Sequence, residues 1–404
     1  MSGRALRFAT NLIVAEVALL GPSSLAAQTA PEVFGQVGVE VRSFFMEPLS
    51  PEQPRWGSFA LKLQPGFSVT LGDQVAASAI FFARLDSSDP QRSHVDAREA
   101  RIQIGRGRVA TTLGINTVFW GVTESRHLVD IINQTDYLES FDGEDKFGQL
   151  MALLTYDMGS FGLVDIFAMT WFRPQLYPSS QGRPGVPVPI RNDAAVFESS
   201  LGRWNPDIAL RWSHSVAEFD WAVSYFHGTA REPELVFDGA VEQGVVPSYA
   251  LTNQMGVEFQ WTRGDWLWKA ESMVRQGQGS LFAAVTAGFE HTTVGVFGSA
   301  ADLGLLLEYN YDGRDNLTLN FYDNDVFGGL RLSLNDVQGS ELLAGVLTDL
   351  DSGVTFGTLE TSRRLGERLT LELIGRLFLA SDRTDPLYWF RKDDYLQATL
   401  AYHF

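Results

Sequence analysis

The last ten residues of the chain, 395–404, alternate without interruption between apolar side chains and side chains that are mostly small or polar. Side chains of an extended strand point to opposite faces in turn. One face would therefore carry Leu396, Ala398, Leu400, Tyr402 and Phe404. Such a strand fits either the last strand of a soluble sheet or the strand that closes a β-barrel whose outer face meets lipid.

The same alternation recurs along the chain and favours the barrel. In 58–71, for example, Leu61, Leu63 and Val69 alternate with Lys62, Gln64 and Ser68. Most predicted strands are close to the roughly 9–11 residues that a tilted strand needs to cross hydrocarbon. Every second connection is short, and the alternate set contains all the long ones, as in membrane barrels. We therefore predict an all-β fold, a transmembrane antiparallel up-and-down β-barrel of 18 strands, with 16 as the alternative because segments such as 342–348 are ambiguous.

Composition points the same way. The chain has Phe 28, Tyr 11, Trp 10 and Gly 38, and no apolar run beyond the N-terminus is long enough for a transmembrane helix. A net charge of −18 disfavours nucleic acid as a partner, since that needs clusters of Lys and Arg. Cysteine is absent, which suits passage through an oxidising compartment and excludes thiolate chemistry.

The N-terminus has the pattern of a secretory signal. Arg4 and Arg7 precede the short apolar segment 12–20, which Glu16 interrupts, and small residues follow at 22–27. We expect a signal peptide at 1–27, followed by a single barrel domain at 28–404 without a plug before the first strand. A signal peptide together with a terminal aromatic strand indicates the outer membrane of a Gram-negative bacterium.

The polar faces of the strands predict the lumen of the barrel. A barrel of this width cannot be filled by its own side chains, and charged groups at membrane depth mark a water-filled path. Both signs of charge occur, so mutual neutralisation and weak ion selectivity are expected rather than a strong transverse field. The predicted pore-lining residues are Arg42, Lys62, Arg84, Glu99, Arg101, Arg211, Glu258, Lys269, Glu271, Arg275, Glu308, Arg331, Glu372 and Arg376.

Aromatic residues near strand ends are expected in girdles at the two membrane interfaces. The candidates are Trp56, Trp120, Trp171, Tyr249, Trp261, Trp266, Tyr309, Tyr311 and Tyr402. Ile374 and Phe378, in contrast, are predicted to face inward.

The third long connection, 121–146, is predicted to fold into the barrel and constrict it. Ser125 can cap a short helix over 126–134, whose apolar face would need the barrel wall to pack on. The candidate constriction residues are Trp120, Glu124, Arg126, Asp130, Asn133 and Asp136. A loop that packs over the barrel mouth without selecting solutes remains the alternative.

The motif formed by Trp120-Gly121, Glu124, Asp130, Asn133 and Asp136 resembles the third-loop signature Trp-Gly…Asp-Val-Val-Asn-Pro-x-Asp of porin-like outer-membrane proteins. Gln134 stands where that signature often has proline. The closing strand, with its terminal Phe404, also resembles that of bacterial outer-membrane proteins. The resemblance implies a large barrel with an inner loop and a C-terminal strand that the barrel-assembly machinery reads, but it gives no substrate.

These features predict a porin-like channel for passive diffusion of small polar solutes, weakly ion-selective and constricted by the third loop. The alternative is an outer-membrane exit component for lipids or apolar compounds that works with an envelope transport system. An enzyme is not expected, because the six histidines are scattered and none has a metal-ligand spacing.

No cofactor and no metal are predicted, although Asp142 with Asp145, and Asp323 with Asp325, could hold Ca²⁺ through oxygen ligands. Acidic loop tips are more often simply solvated. The expected partners are outer-membrane lipid, lipopolysaccharide, the barrel-assembly machinery and small solutes, and assembly into a homo-oligomer stays open.

Overall fold

A computed structural model describes residues 30–404 except 186, 187, 238, 240–243 and 316–319, so the predicted signal segment 1–27 lies outside it. An 18-stranded antiparallel sheet closes on itself as a β-barrel. The first strand, β1 (Glu32–Phe44), pairs with β2 (Gly57–Leu71) and also with the last strand, β21 (Tyr395–His403). This closure confirms the prediction of 18 strands over 16.

The remaining barrel strands each pair with their neighbours along the chain. They are β3 (Val75–Asp86), β4 (Val95–Arg106), β5 (Val109–Asn116), β6 (Gln149–Asp157), β7 (Leu163–Met169), β9 (Asp207–Val216), β10 (Phe219–Thr229), β13 (Leu251–Arg263), β14 (Trp266–Gly277), β15 (Gly279–Thr293), β16 (Asp302–Asp312), β17 (Asn324–Ser333), β18 (Glu341–Asp349), β19 (Thr355–Arg364) and β20 (Leu369–Leu379).

Three short strands in the long loops form a second sheet, which the sequence did not predict. They are β8 (Val196–Phe197), β11 (Glu234–Phe237) and β12 (Val245–Tyr249). Short 3₁₀ helices occur at Pro90–Arg92, Gly159–Phe161, Asn192–Ala194, Gly202–Trp204, Val296–Gly298 and Pro386–Phe390. Within the described ranges, no helix is both long enough and apolar enough to cross a membrane.

The two faces of the strands differ as the alternation predicts. On β1, Val39 and Val41 are exposed on the outside, whereas Glu40 and Arg42 are buried inside. On β21, Leu396 and Leu400 are exposed in the same way. An apolar outer wall around a polar interior is the arrangement that suits a barrel surrounded by lipid.

Two expected girdle residues are inside the molecule instead. Trp266, Tyr309, Tyr311 and others are exposed on the outer wall, but Trp120 and Tyr249 are buried. Trp120 packs edge-on against Phe167 with ring centroids 5.6 Å apart, and Tyr249 stacks on Phe197 at 5.3 Å. Both belong to connections that fold inward. Their position near a predicted strand end therefore did not show whether they face the lipid or the interior of the barrel.

The sequence alternation also predicts strands over 161–172 and 248–262, and both of these predictions are too long. The predicted strand 161–172 ends at Met169, where the Gln149 amide donates to the Thr170 carbonyl and Trp171 has φ 57°. The predicted strand 248–262 is divided, because β12 ends at Tyr249 and belongs to the small sheet. In both cases the backbone beyond the barrel strand bonds to other long-loop segments: the Phe172 amide donates to the Arg203 carbonyl, and β12 pairs with β11 and β8.

Candidate functional site

The third loop, residues 117–148 between β5 and β6, lies inside the barrel and reaches its far side. Its apolar residues Val129, Ile131 and Ile132 are at most 2% exposed. They pack with Trp120 and with wall residues of β6, β7, β9 and β10, including Met151 and Phe226. Burying each of these large side chains contributes about 1.5–3 kcal/mol, so the loop has its own hydrophobic anchor in the lumen.

Two wall carboxylates hold the loop backbone from across the lumen. Oε1 of Glu271 on β14 accepts hydrogen bonds from the Val122 and Thr123 amides at 2.6 and 2.9 Å and from the Thr123 hydroxyl at 2.6 Å. Its Oε2 accepts from the Val129 amide at 3.1 Å. Charge-assisted hydrogen bonds of this kind are the stronger ones in proteins, so Glu271 is a major anchor of the loop.

Glu308 on β16 plays the same part for the next two residues. It accepts from the Glu124 amide at 2.8 Å and from the Ser125 amide and hydroxyl at 2.7 Å each. Lys269 lies 3.3 Å from the same carboxylate. The loop backbone therefore crosses from β5 to strands that are not its neighbours in the ring.

The predicted helix over 126–134 is not present; the segment is a series of turns and bends. The amides of Val122, Thr123 and Val129 donate to Glu271, and the Ser125 hydroxyl donates to Glu308 instead of accepting from the first amides of a helix. Of these backbone donors, only the Val129 amide would be bonded within a helix over 126–134, and the Glu271 carboxylate takes it, while Glu308 takes the hydroxyl that would cap the helix. The apolar residues predicted to pack on the wall, such as Ile131 and Ile132, are nevertheless buried there.

Gly121 of the Trp-Gly pair is required by this geometry. Its φ is +130°, a conformation that L side chains rarely adopt. A Cβ at this position would lie 3.0 Å from the Glu271 Oε1 and 3.2 Å from the His127 ring. A side chain at residue 121 would therefore strain the backbone, and the Glu271 and His127 side chains would have to shift to admit it.

The other motif residues fasten the two ends of the loop together. Asn133 is 1% exposed; its Oδ1 accepts from the Val118 amide, and its Nδ2 donates to the carbonyls of Asn116 and Phe147. Asp136 is fully buried and pairs with Arg98 at 2.5 Å.

Two further predicted constriction residues are ion-paired, Asp130 with Lys146 at 3.2 Å and Arg126 with Asp312 at 2.6 Å. Among the six predicted constriction residues, Trp120, Asn133 and Asp136 are buried: Trp120 packs against other rings, Asn133 is hydrogen-bonded and Asp136 is ion-paired. Only Glu124 keeps about a quarter of its side chain exposed.

Acidic residues of the loop pair with cations of the wall. Glu124 lies 2.6 Å from Arg331, and Asp142 lies 2.6 Å from Arg376. Glu139, which was not among the predicted site residues, contacts Lys62 at 3.1 Å and Arg84 at 2.7 Å. The loop is consequently joined to β2, β3, β17 and β20 by charge.

Each of the nine predicted pore-lining cations has a carboxylate within 4.0 Å. Besides those above, Arg42 pairs with Glu40, Arg101 with Glu99, Arg211 with Glu258, and Arg275 with Glu232. Glu372 is half-buried and has no ion pair within the described part of the chain. These side chains occupy the inward positions of their strands, and their contact with a solute remains a prediction.

Burial and neighbouring charge shift the pKa of several loop groups. Burial disfavours the charged imidazole of His127, but the adjacent Glu144 carboxylate outweighs it and raises the pKa to about 9. Burial and then the negative charge of Glu139 raise the pKa of Asp145 to about 7. Burial disfavours the Glu139 carboxylate itself, but Lys62 and Arg84 lower its pKa to about 2.

Two cavities flank the loop. The larger, about 890 Å³, lies at the short-turn end and is lined by Phe119, Gly121, Arg211, His214 and Glu258, among others. The smaller, about 80 Å³, lies among the long loops. Beside it, the rings of Phe141, Phe321, Phe356, Phe378 and Phe390 pack inside the lumen, which agrees with the inward orientation predicted for Phe378.

The sequence analysis named two members, Asp323 and Asp325, of a cluster of three carboxylates. The carboxylate oxygens of Asp323, Asp325 and Asp349 lie within 4.8 Å of one another. In the other predicted acidic segment, Asp142 pairs with Arg376 and Glu144 with His127. The carboxylates of Asp142 and Glu144 are thus already used in ion pairs within the protein.

Several residues that hold the loops were missed by the sequence analysis. Glu232 joins Arg275 to Arg314 at 2.9 and 2.7 Å, and Arg92 pairs with Asp86 at 2.7 Å. Arg275 was predicted as a pore-lining residue and Asp86 lies on β3, but Glu232, Arg314 and Arg92 lie in connections between barrel strands, where no periodicity assigns a side. Their charge in otherwise inward-folding loops was the only available signal.

No protein-family model matches this chain, and no curated protein matches it by sequence. Solved structures with a similar fold include a mutant form of Rh. blastica porin (12% identity, TM-score 0.45), over 93% of this chain and 100% of that one. OmpT, an outer-membrane protein of Vibrio cholerae folded in vitro and solved in trimer form, is similar at 11% identity and TM-score 0.48, over 93% and 99%.

Proposed function

We propose that this chain forms a porin-like channel in the bacterial outer membrane for passive diffusion of small polar solutes, constricted by the third loop. The observation that carries the proposal is the path of that loop: its backbone is hydrogen-bonded across the lumen to Glu271 and Glu308. Because the third loop is held at both ends and in its middle, it reduces the cross-section of any path through the barrel. The apolar outer wall supports the membrane location.

Weak ion selectivity is part of the proposal. A wall cation with a carboxylate within 4.0 Å presents little net field to a passing ion. Arg331, for example, lies 2.6 Å from Glu124 and 3.4 Å from Glu290. No side of the described lumen therefore carries an uncompensated row of cations.

The partners that follow from this location are also proposals. Lipid and lipopolysaccharide would surround the apolar wall, and the assembly machinery would read the strand that ends at Phe404. No enzymatic activity and no cofactor are proposed. Assembly of several barrels into a homo-oligomer is compatible with the exposed wall.

The experiment is single-channel conductance of the refolded protein in planar bilayers, with and without residues 124–139. The deletion should raise conductance and admit larger solutes, because it removes the segment that crosses the lumen. A matched control deletes 48–52, a short piece of the first long loop, and should conduct like the wild type. A wild type without channels would refute the channel, and unchanged conductance in the deletion would refute the constriction.

The exit of apolar compounds remains a second candidate because of the aromatic rings inside the lumen. Phe141 contacts Phe321, Phe356, Phe378 and Phe390 with centroid separations of 5.0–5.5 Å. Faster release of an apolar dye than of a polar dye of equal size from liposomes that contain the barrel would favour this candidate over the diffusion channel.

A further inference from the structure

The fourth long loop, residues 170–206 between β7 and β9, lies over the long-loop mouth of the barrel. Its tip reaches the two connections that flank β1. Gln53, before β2, donates to the Gly182 carbonyl at 2.9 Å. Arg183 pairs with Asp393, just before β21, at 2.8 Å. Since β1 is six places from β7 in the ring of 18 strands, the loop spans much of the mouth.

Little space is left beneath this loop. Tyr177, Pro178 and Pro184 line the cavity of about 80 Å³, together with 137–141 of the third loop and Phe390 of the last connection. An apolar cavity of roughly 150 Å³ accepts benzene, so this one is too small for a solute of that size. The cavity at the short-turn end is about 890 Å³, roughly ten times larger.

The tip of the fourth loop is fixed by Arg183, whose side chain is buried. Its Nε donates to Oδ1 of Asp393 at 2.8 Å, and the Gly185 amide donates to Oδ2 of the same carboxylate at 3.1 Å. The other N–H groups of the guanidinium donate to backbone carbonyls of the first and last long connections, those of Met46, Pro54, Arg55 and Lys392. A buried charge requires such partners, so the loss of the guanidinium would leave Asp393 uncompensated and release the tip.

The base of the same loop is held by apolar contacts instead. Phe172 packs edge-on against Tyr249 with ring centroids 4.9 Å apart, and Tyr177 clusters with Ile190 and Val245. Tyr249 and Val245 belong to β12, so the base rests on the small sheet. When a segment detaches, its hydrogen bonds are exchanged for bonds to water, whereas its apolar surface gains nothing from water. The tip is therefore the end that detaches more readily, and the base is the hinge.

We propose that the fourth loop is a lid on the channel: its tip, residues 179–185, leaves the partners of Arg183 to admit a solute, and its base stays on the small sheet. Pro174, Pro178 and Pro184 each fix φ, so the segment moves as a stiff unit. This inference rests on the proposed channel function, because a lid presupposes a path that it closes. The third loop sets the conductance of the open channel, and the lid sets how often the channel is open.

The test is the labelling rate of single cysteines in the refolded full chain, which has no cysteine of its own. Ser140→Cys places a thiol in the wall of the small cavity beneath the lid, and Ser160→Cys places one at the large cavity. A maleimide dye is too large for the small cavity, so Ser140→Cys should react about tenfold or more slowly than Ser160→Cys. Adding Arg183→Ala should speed the reaction of Ser140→Cys about tenfold and leave that of Ser160→Cys unchanged.

A milder variant and a matched control accompany this pair. Gln53→Ala removes only the bond to the Gly182 carbonyl and should speed the labelling of Ser140→Cys about fivefold. Arg203→Ala removes an exposed arginine of the same loop and should label at the unaltered rate. In single-channel records, Arg183→Ala should raise the frequency of openings and leave the conductance of the open level unchanged.

Two results would overturn the lid: equal labelling of Ser140→Cys and Ser160→Cys behind the unaltered loop, or unaltered rates in both Arg183→Ala and Gln53→Ala. Circular dichroism of each variant shows whether the barrel is intact. Conductance of the same preparations separates the two proposals. Channels without lid-dependent labelling would keep the channel and remove the lid, whereas lid-dependent labelling in a protein that never conducts would keep the moving loop and remove the channel.

Discussion

Glu271→Gln tests the anchoring of the third loop most directly, since it keeps the shape of the side chain and removes its charge. The carboxylate accepts four hydrogen bonds from three loop residues, at 2.6, 2.9, 2.6 and 3.1 Å. A glutamine offers one oxygen to these donors and turns its amino group toward the rest. At least one loop amide then faces another donor.

The expected cost follows from this count. Hydrogen bonds to a charged group contribute about 1.5–3 kcal/mol and neutral ones about 0.5–1.5 kcal/mol. Three bonds each weakened by about 1–1.5 kcal/mol and one lost bond of about 1.5–3 kcal/mol would cost roughly 4.5–7.5 kcal/mol of loop docking if they were independent. Since they share one carboxylate and one loop, about 3 kcal/mol is the better expectation, which is a shift of more than a hundredfold toward the undocked loop.

Two assays read this shift. Single-channel records of Glu271→Gln should show higher conductance or frequent steps to a larger open level, and protease should cut the loop near Arg126 faster than in wild type. Glu372→Gln is the matched control, because that carboxylate also lies on the inner face but has no ion pair among the described residues. Wild-type conductance together with wild-type protease resistance in Glu271→Gln would refute the anchoring argument.

Three further outcomes follow from the same loop. The folded-state pKa of His127 is raised from 6.5 to about 9, so its contribution to loop docking is complete below pH 6.5 and is lost as pH rises through 9. Conductance should therefore increase as the pH rises through 9. In Glu144→Gln the same increase should occur at a lower pH. Trp120→Ala removes a ring that is 3% exposed and should lower the free energy of unfolding in urea by about 3–5 kcal/mol, whereas Trp389→Ala, at 41% exposed, should change it little. In a KCl gradient the reversal potential of the wild type should stay near zero, and a strong preference for either ion would contradict the pairing argument.

The barrel itself was predictable because strand alternation is local and repeats along the whole chain. Lipid on one side and polar groups on the other fix which face each residue takes, so Val39 and Glu40 could be assigned from their order alone. Pairing between the first and the last strand was also predictable, because β1 and β21 would otherwise be the two unpaired edges of the sheet.

The interior of the long loops could not be predicted in this way. A helix over 126–134 was a reasonable expectation from Ser125 and the spacing of the apolar residues. Instead, the Val129 amide donates to Glu271 and the Ser125 hydroxyl donates to Glu308, and both carboxylates lie far away in sequence. The burial of Trp120 and the role of Glu139 depend on these long-range contacts as well, so no local pattern reveals them.

The loop also supplies part of the charge balance of the lumen, and this gives the deletion of 124–139 a second expected effect. The segment contains the acids Glu124, Asp130, Asp136 and Glu139, the cation Arg126, and His127, which is protonated at neutral pH because its pKa is about 9. Its removal leaves the lumen with more positive charge, since Glu124 and Glu139 are partners of Arg331, Arg84 and Lys62.

The deleted channel should therefore favour anions more than the wild type does, and the shift should be greatest at low salt, where screening is weakest. A variant that keeps the loop but carries Glu124→Gln and Glu139→Gln should shift selectivity in the same direction with a smaller rise in conductance. If the deletion widens the pore but leaves the reversal potential unchanged, the loop narrows the path without balancing its charge.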